Sequence, residues 1–241
     1  MIRWALWRAI RIGESMGFHL PGSIDQYLRR LLKQANIGTV FDVGANRGEY
    51  GAHLRRLGFR GRIISFEPVS STYTHLTQRA RRDPLWTTHQ YALGKSEEVR
   101  EIHIPPLDNL ASLLKPSAFS LAQFGTAAEV ARSERVTVRR LDAVFGDCVN
   151  GSGGGVLLKV DAQGTDLDVV EGALDVLPKI AAIQLEVNVT PLYDGASPLP
   201  DSARRLGELG YDLGAVFPVL FAKPDELRLV DADCFFVRRP S

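Results

Sequence analysis

Apolar and polar residues along this chain alternate in a way that predicts strands and helices in turn from residue 37 onward. Apolar, β-branched or aromatic runs predict strands at 38–43, 61–66, 87–93, 156–161, 180–187, 211–219 and 233–238. Amphipathic stretches between them predict helices at 51–57, 70–82, about 163–177 and 201–209. Strands that alternate with helices are typical of an α/β fold with a doubly wound, mostly parallel sheet that has helices on both faces.

Two stretches depart from this alternation. Residues 1–36 look helical and predict an N-terminal helical extension ahead of a domain at 37–241, with Ser23 capping a helix at 24–34. Residues 107–134 show little periodicity, which predicts a helical cap or lid. On either side of that segment, 99–104 and 135–141 alternate like strands and predict a hairpin-like addition to the sheet.

A glycine-containing turn follows the first predicted strand, in the sequence Thr39-Val-Phe-Asp-Val-Gly-Ala-Asn-Arg-Gly-Glu-Tyr50. Strand, tight turn and helix form the start of a mononucleotide-binding unit. In such a unit, glycines let the backbone approach a ligand closely and the helix N-terminus offers free N–H groups. The sequence therefore predicts that Gly44, Asn46 and Gly48 lie around a bound cofactor.

The position of the acidic residues separates two candidate cofactors. Asp42 stands two residues before Gly44, and Asn46 replaces the middle glycine of the dinucleotide fingerprint. A carboxylate so close would repel a pyrophosphate, but it suits a cation such as the ammonium group of S-adenosylmethionine. Glu67 ends the second predicted strand, where an acid that pairs with ribose hydroxyls is expected. The two acids predict an adenosyl cofactor without phosphate and disfavour a nicotinamide oxidoreductase, while a plain βα loop remains the structural alternative.

Four carboxylates stand at the predicted carboxyl ends of separate strands, namely Asp42, Glu67, Asp161 and Glu186. Ligands of doubly wound sheets bind outside these ends, so we expect the four to converge on one rim. Methyl transfer to an alcohol needs a general base, or a metal that stabilises the alkoxide. Asp161 and Glu186 are the predicted catalytic residues, and with Asn188 they offer three oxygen ligands of the kind that Mg²⁺ accepts.

Both catalytic candidates also have structural interpretations. Asp161 could be the N-cap of the turn at 163–166 that opens the next helix, and Glu186 could be buried in an ion pair with Lys159. His103 is a more distant alternative for the base.

Length and composition limit the class of protein. With 241 residues, 45% hydrophobic and 24% charged, the chain suits one α/β domain with extensions. A net charge of +1 gives no general attraction to nucleic acid, so no nucleic-acid partner is predicted. Two cysteines far apart predict neither a disulfide framework nor a zinc site, and a cytoplasmic location fits best.

The first helical stretch has an unusual face. Arginine and tryptophan share one side of residues 1–20, a combination that suits the interface of a membrane. A helix packed on the core or on a second subunit is the alternative. We therefore predict peripheral contact with the inner face of the membrane through residues 1–20, and no segment long and apolar enough to span it.

The chain resembles the FkbM-type S-adenosylmethionine-dependent methyltransferases. The resemblance covers about Val40 to Val237, and its ordered motifs are Phe41-Asp-Val-Gly-Ala-Asn-Arg-Gly-Glu-Tyr50, Phe66-Glu-Pro68, Ala92-Leu-Gly94, Ser112-Leu113, Leu141-Asp142 and Leu158-Lys-Val-Asp-Ala-Gln-Gly164. Two positions depart from the family pattern, because Gln163 and Asp166 often appear there as Glu.

The resemblance implies a class I methyltransferase (Rossmann-like) fold with seven strands, of which the last is antiparallel. It implies O-methylation, with Asp161 near the reaction centre and with the cofactor bound by Asp42, Gly44, Asn46, Gly48, Glu67, Pro68, Ala92 and Leu93. Because arginine strongly outnumbers lysine, the chain is similar to actinobacterial enzymes that methylate deoxysugars, such as fucosyl or rhamnosyl units, on surface glycolipids. A small natural product as acceptor, or a non-catalytic module that keeps the fold, are the alternatives.

Overall fold

The computed structural model of the protein describes residues 22–149, 153–222 and 227–240. The predicted membrane contact of residues 1–20 lies outside these ranges. The helix predicted at 24–34 is confirmed, and Ser23 Oγ caps it by accepting a hydrogen bond from the Gln26 amide at 3.3 Å. The domain boundary near residue 37 stays a prediction. Within the described ranges, every helix is too short or too polar to span a bilayer.

The described chain consists largely of strands and α-helices. The strands are β1 Ile37–Val43, β2 Arg62–Phe66, β3 Trp86–His89, β4 Ala92–Leu93, β5 Glu98–Ile104, β6 Arg132–Arg139, β7 Gly155–Val160, β8 Ile180–Asn188, β9 Tyr211–Phe221 and β10 Leu229–Arg238. The α-helices are α1 Ile24–Gln34, α2 Glu49–Arg56, α3 Ser70–Ala80, α4 Ala118–Phe124, α5 Leu141–Val149, α6 Asp166–Glu171 and α7 Leu199–Glu208.

Seven strands form the central sheet in the order β3-β2-β1-β7-β8-β10-β9. Strands β3, β2, β1, β7 and β8 are parallel, whereas β10 runs antiparallel to both of its neighbours. The mostly parallel sheet with an antiparallel last strand is therefore confirmed, and the fold is that of class I, Rossmann-like methyltransferases. Because parallel strands end at one edge, the turns after β1, β2, β7 and β8 lie together.

The central strands β1, β7 and β8 are buried on both faces of the sheet. Neighbouring strands place Phe41, Leu158 and Ile183 in one apolar cluster, and the residues just before them, Val40, Leu157 and Ala182, in a second cluster on the other face. Side chains of a strand alternate between faces, so a continuous apolar run is what a strand covered on both sides requires. The core thus holds the four strand ends in fixed register.

The third predicted strand is broken in the structure. β3 ends at His89, opposite Phe66, because β2 itself ends there and offers no further partner. After a bend, β4 pairs with β6 in a separate three-stranded sheet of order β4-β6-β5. The pairing predicted between 99–104 and 135–141 is confirmed as the antiparallel pair β5 and β6. However, β6 ends at Arg139 because Leu141 begins α5, and the pair belongs to this separate sheet instead of the central one.

Two further helical predictions need correction. The helix predicted from about 163 to 177 ends at Glu171, since Gly172 favours helix poorly, and a 3₁₀ segment at Leu174–Lys179 contains Pro178. The segment predicted as a helical cap holds 3₁₀ turns at Asp108–Leu110 and Gly125–Ala127 around α4, and its last residues belong to β6.

Candidate active site

The turn after β1 is drawn tightly against the end of β7. Gly44, Asn46 and Gly48 all have positive φ, at 72°, 46° and 80°. A Cβ atom on Gly44 would lie 1.8 Å from the backbone oxygen of Asp161, so only glycine fits there. The amides of Gly44 and Ala45 both donate to the Phe66 oxygen at 3.0 Å, which joins the turn to β2 as well. Three strand ends thereby meet at one point.

Glu67 holds the same turn from the end of β2. Its Oε2 accepts a hydrogen bond from the Asn46 amide at 2.8 Å, and its Oε1 accepts from the Val69 amide and the Thr72 hydroxyl, each at 2.9 Å. Burial outweighs these hydrogen bonds and raises the pKa of Glu67 to about 6. A carboxylate has roughly four acceptor positions, so one of them, on Oε2, is left for a ligand hydroxyl.

A first cavity lies beyond this turn, with a volume of about 90 Å³. Most of the predicted site residues line it: Gly44, Asn46, Glu67, Pro68, Ala92, Leu93 and Asp161. Phe66, Ile102 and Leu113 add apolar surface. The structure therefore brings together, at the expected edge of the sheet, residues from β1, β2, β4 and β7 that are far apart in the sequence.

Two predicted cofactor residues do not reach this cavity. Asp42 is completely buried beneath the turn, where its Oδ2 accepts a hydrogen bond from Ser65 Oγ at 3.0 Å. Its Oδ1 lies 3.5 Å from Lys159 Nζ and has no hydrogen-bond partner among the described residues. Gly48 instead faces Leu76 and Trp86 at the start of α2. Because Asp42 lies under the turn and neither residue lines the cavity, their contact with a cofactor stays a prediction.

Residues 108–113, here called the roof, cover the first cavity. Arg47 of the turn forms an ion pair with Asp108, and Ser112 Oγ donates a hydrogen bond to the Gln163 backbone oxygen at 2.6 Å. The Tyr193 hydroxyl oxygen lies 3.2 Å from the Leu110 oxygen. The sequence predicted a lid in this region from its weak periodicity, but it gave no signal for the contacts that fasten it.

A second cavity of about 530 Å³ lies beside the first. It is lined by polar and charged side chains that include Tyr50, His53, Arg56, Lys159, Gln184, Glu186 and Asp233. Gly44, Asn46, Asn109 and Asp161 line both cavities. Asp161 is therefore the carboxylate at the junction of the two, whereas Glu186 faces the second cavity.

Asp161 and Glu186 are hydrogen-bonded to each other, and their pKa values are shifted in opposite directions. Burial favours the neutral form of Asp161, but the Lys159 ammonium and hydrogen bonds from Glu186 and Gln163 outweigh it and lower the pKa. The Asp161 charge, followed by burial, raises the pKa of Glu186 far above its usual range. At neutral pH, Asp161 is thus ionised, and Glu186 carries the proton that hydrogen-bonds to it.

The structure contradicts the two structural interpretations of these acids. The residue before α6 is Thr165, and the amides of Ala162 and Gly164 are bound by Asp166, at 2.7 and 3.0 Å, instead of by Asp161. Lys159 forms its ion pairs with Asp42 and Asp161, and Asp161 acts more strongly on Glu186 than Lys159 does. Neither acid is explained by capping or by a Glu186–Lys159 pair.

Gln163, one of the departures from the family pattern, has a specific function here. Its Nε2 donates to Asp161 Oδ1 at 2.6 Å, and its Oε1 accepts from the Tyr193 hydroxyl at 2.6 Å. An amide can donate and accept at once, whereas an ionised glutamate could not donate to Asp161. No sequence pattern pointed to Tyr193. Lys159, in contrast, is the single charged residue in the apolar run at 156–160, which marks it in the sequence.

The donor set does not fit the predicted Mg²⁺ site. Asn188 Nδ2 donates to Asp231 at 3.1 Å and its Oδ1 accepts from the Leu192 amide at 3.4 Å, so its side chain is engaged elsewhere. The Lys159 ammonium already neutralises Asp161. Among the residues described, no three His, Cys, Asp or Glu side chains are placed to hold one metal ion.

The family follows from a direct sequence comparison. The model of the methyltransferase FkbM domain matches residues 42–213, which are 172 of the 241 residues. The chain belongs to the FkbM methyltransferase family. It is therefore a methyltransferase of the S-adenosylmethionine-dependent kind. No curated protein matches the chain significantly.

Solved structures are similar in fold only. One is a pericyclic reaction enzyme, with 11% identity and a TM-score of 0.42 over 84% of this chain and 43% of that one. Another is precorrin-6y C5,15-methyltransferase from Geobacter metallireducens, with 13% identity and a TM-score of 0.43 over 89% and 88%. A third is the methyltransferase domain of bacterial CtHen1-C, with 11% identity and a TM-score of 0.47 over 90% and 97%. The chain spans less than half the length of the first, and none of them bears on the acceptor.

Proposed function

We propose that the protein is an O-methyltransferase in which the first cavity holds S-adenosylmethionine and the second cavity holds the acceptor alcohol. The observation that carries this proposal is the position of Asp161. It lines both cavities and is kept ionised where they meet. A base at the junction has access to a hydroxyl group in the second cavity and to the edge of the first.

The residues of the first cavity fit an adenosyl cofactor. Glu67 Oε2 retains an acceptor position for a ribose hydroxyl, and Leu93 and Ile102 offer apolar surface for an adenine ring. The volume of about 90 Å³ is below the roughly 300–1,000 Å³ of common ligand pockets. Binding therefore requires the roof to move outward, and the exposed Arg47–Asp108 ion pair is its outermost fastening.

The chain supplies a proton acceptor in the right ionisation state. S-adenosylmethionine supplies, when bound, an electrophilic methyl group on a positively charged sulfur. Asp161 would accept the proton of the acceptor hydroxyl while the hydroxyl oxygen bonds to the methyl carbon and the carbon–sulfur bond breaks, so that S-adenosylhomocysteine leaves. Until then, the protonated Glu186 beside Asp161 helps to disperse the carboxylate charge. Gln163 and Lys159 hold Asp161 in place at 2.6 and 3.3 Å. Positioning of the two substrates supplies much of the remaining acceleration.

The acceptor that best suits the second cavity is a sugar hydroxyl. Its wall mixes donors and acceptors, with Gln184 bonded to Tyr50 at 2.6 Å and to Asp233 at 2.9 Å, as polyhydroxyl ligands require. Together with the family resemblance, this supports a deoxysugar of a surface glycolipid, such as a fucosyl or rhamnosyl unit, methylated at the cytoplasmic face of the membrane. A small natural product with several hydroxyl groups would meet the same wall.

Substitution of the junction carboxylate tests this mechanism. Asp161→Asn should lower turnover by about 10²–10⁴-fold because the base is lost. Calorimetry should show that S-adenosylhomocysteine still binds. Asp212→Asn is the matched control, since that acid lies on the surface and pairs with Arg239. Full turnover in Asp161→Asn would remove Asp161 from the mechanism.

The acceptor is tested separately, by mass spectrometry of lipids from a strain that lacks the protein. Glycolipids lighter by one methylene per missing methyl group, and restored by the purified protein with labelled donor, would support the sugar acceptor. Unchanged glycolipids would contradict it, and binding of the donor without transfer to any extract component would favour the non-catalytic alternative.

A further inference from the structure

Lys159 lies where the support of the donor turn meets the junction carboxylate. Asp42 and Lys159 are direct neighbours across β1 and β7, and Asp161 follows two residues later on the same face of the chain. Lys159 Nζ is 3.5 Å from Asp42 Oδ1 and 3.3 Å from Asp161 Oδ2. Its side chain is only 8% exposed. Among the described residues, Lys159 is the cation that forms an ion pair with each of the two carboxylates, Asp42 and Asp161.

The ammonium group is also held by Tyr50, which lines the second cavity together with Lys159. Its nitrogen lies 5.3 Å from the ring centre of Tyr50, whose hydroxyl is anchored on Gln184 at 2.6 Å. Asp42 in turn is fixed by Ser65, which also accepts a hydrogen bond from Trp86 Nε1 at 3.0 Å. A flexible lysine side chain is thereby confined to one position, because its neighbours are themselves fixed.

The confined Lys159 ammonium also restrains the Asp161 carboxylate. Asp42 Oδ1 lacks a hydrogen-bond partner within the described chain, so Lys159 is the only group that compensates its charge on that side. Two carboxylates then share one ammonium, which fixes the ammonium between them. The direction of the Asp161 carboxylate follows from that position.

We propose that Lys159 is a positioning residue, which Asp42 and Tyr50 hold in place and which keeps the Asp161 carboxylate oriented and negatively charged at the junction of the two cavities. Asp42 then acts through Lys159, from beneath the turn. The link to turnover rests on the proposed function, but the ionisation of Asp161 does not.

Other charged groups also surround this pair. They are Asp42 from β1, Tyr50 from α2, Glu67 after β2, Asp166 from α6, Glu186 from β8, Tyr193, and Asp231 and Asp233 from β10. His53 and Arg56 line the second cavity as well, but Lys159 is the cation that forms an ion pair with Asp161 among the described residues. The Lys159 charge is the largest of the effects that oppose the burial of Asp161, ahead of the hydrogen bonds from Glu186 and Gln163.

Carbon-13 NMR of the full chain labelled at aspartate carboxyls tests the inference without an acceptor. The Asp161 signal is assigned by its loss in Asp161→Asn. In the wild type, we expect it to keep the shift of an ionised carboxylate over the acidic range in which the fold survives. In Lys159→Met, the midpoint should rise by about 1–3 pH units, as expected when an opposite charge within about 4 Å is removed. Lys159→Arg should return it toward the wild type.

A second variant guards against misfolding. Lys159→Met leaves Asp42 buried without a counter-ion, so Asp42→Asn/Lys159→Met is made in parallel and should show the same rise for Asp161. An unmoved Asp161 midpoint in either folded variant would overturn the inference, whether or not methyl transfer is detected. Failure of S-adenosylhomocysteine to bind the wild type would instead refute the proposed function and leave this midpoint unaffected.

Discussion

Substitution of Gly44 by alanine perturbs the contact that joins the donor turn to β7. Gly44 has φ +72°, and its new Cβ atom would lie 1.8 Å from the Asp161 oxygen, whereas contacts under 3.0 Å essentially never occur. The turn and β7 would have to separate by at least the difference, 1.2 Å. The hydrogen bond from the Asp161 amide to the Val43 oxygen, now 3.0 Å, crosses the same gap.

The expected loss of stability in Gly44→Ala has two parts, which a matched control variant separates. Left-handed backbone costs an alanine about 1–2 kcal/mol, and overpacking costs about 1–3 kcal/mol more. Gly58→Ala has the same kind of strain, at φ +92°, but its Cβ atom meets nothing within 4 Å. Urea unfolding should therefore show a loss of about 2–5 kcal/mol for Gly44→Ala and about 1–2 kcal/mol for Gly58→Ala.

The same pair of variants reports on the site. Displacing Asp161 and the turn should weaken S-adenosylhomocysteine binding in Gly44→Ala at least about tenfold, which is about 1.4 kcal/mol. Gly58→Ala should bind it like the wild type. Calorimetry measures both affinities. Equal losses of stability in the two variants, or unchanged binding in Gly44→Ala, would refute the reasoning.

Two further predictions concern the turn and the roof. The pKa of Glu67 rises from 4.5 to about 6 on folding, so the stability that its protonated form contributes is present below pH 4.5 and lost as pH rises through 6. This rise in pKa corresponds to about 2 kcal/mol of unfolding free energy. Urea unfolding of Glu67→Gln at several pH values should lack this part of the pH dependence. A plot of unfolding free energy against pH that runs parallel to that of the wild type would contradict the raised pKa of Glu67. Arg47→Ala should speed dissociation of S-adenosylhomocysteine up to about fivefold, since an exposed ion pair contributes at most about 1 kcal/mol. Stopped-flow fluorescence measures that rate. Arg204→Ala is the control, because it breaks a surface ion pair with Glu208 that is remote from the roof. Equal dissociation rates in the two variants would show that the Arg47–Asp108 pair does not fasten the roof.

Local sequence pattern was sufficient for most of the architecture. The apolar runs around Phe41 and Leu158 identify strands buried on both faces, and the small residues after Asp42 identify the turn. Parallel topology then brings Glu67 and Asp161 to one edge without knowledge of register. For this reason, most predicted cofactor residues line one cavity.

Features that depend on register and on tertiary packing could not be predicted. Alternation of side chains assigns Asp42 to one face of its strand, but it does not reveal that Lys159 on the neighbouring strand β7 is its direct partner. The break after His89 depends on where β2 ends, and β-propensity carries no such information. The roof contacts of Tyr193 join loops distant in sequence, for which periodicity provides no signal.

Ligand-dependent thermal unfolding of the wild-type chain tests the central claim most directly. With S-adenosylhomocysteine at 100 times its dissociation constant, stabilisation of about 2.7 kcal/mol should raise the Tm by roughly 5–11 °C. NAD at the same concentration should leave the Tm unchanged, because the described lining of the first cavity includes the carboxylates of Glu67, Asp108 and Asp161 and no lysine or arginine. A rise with NAD and none with S-adenosylhomocysteine would contradict the assignment of the first cavity to a methyl donor.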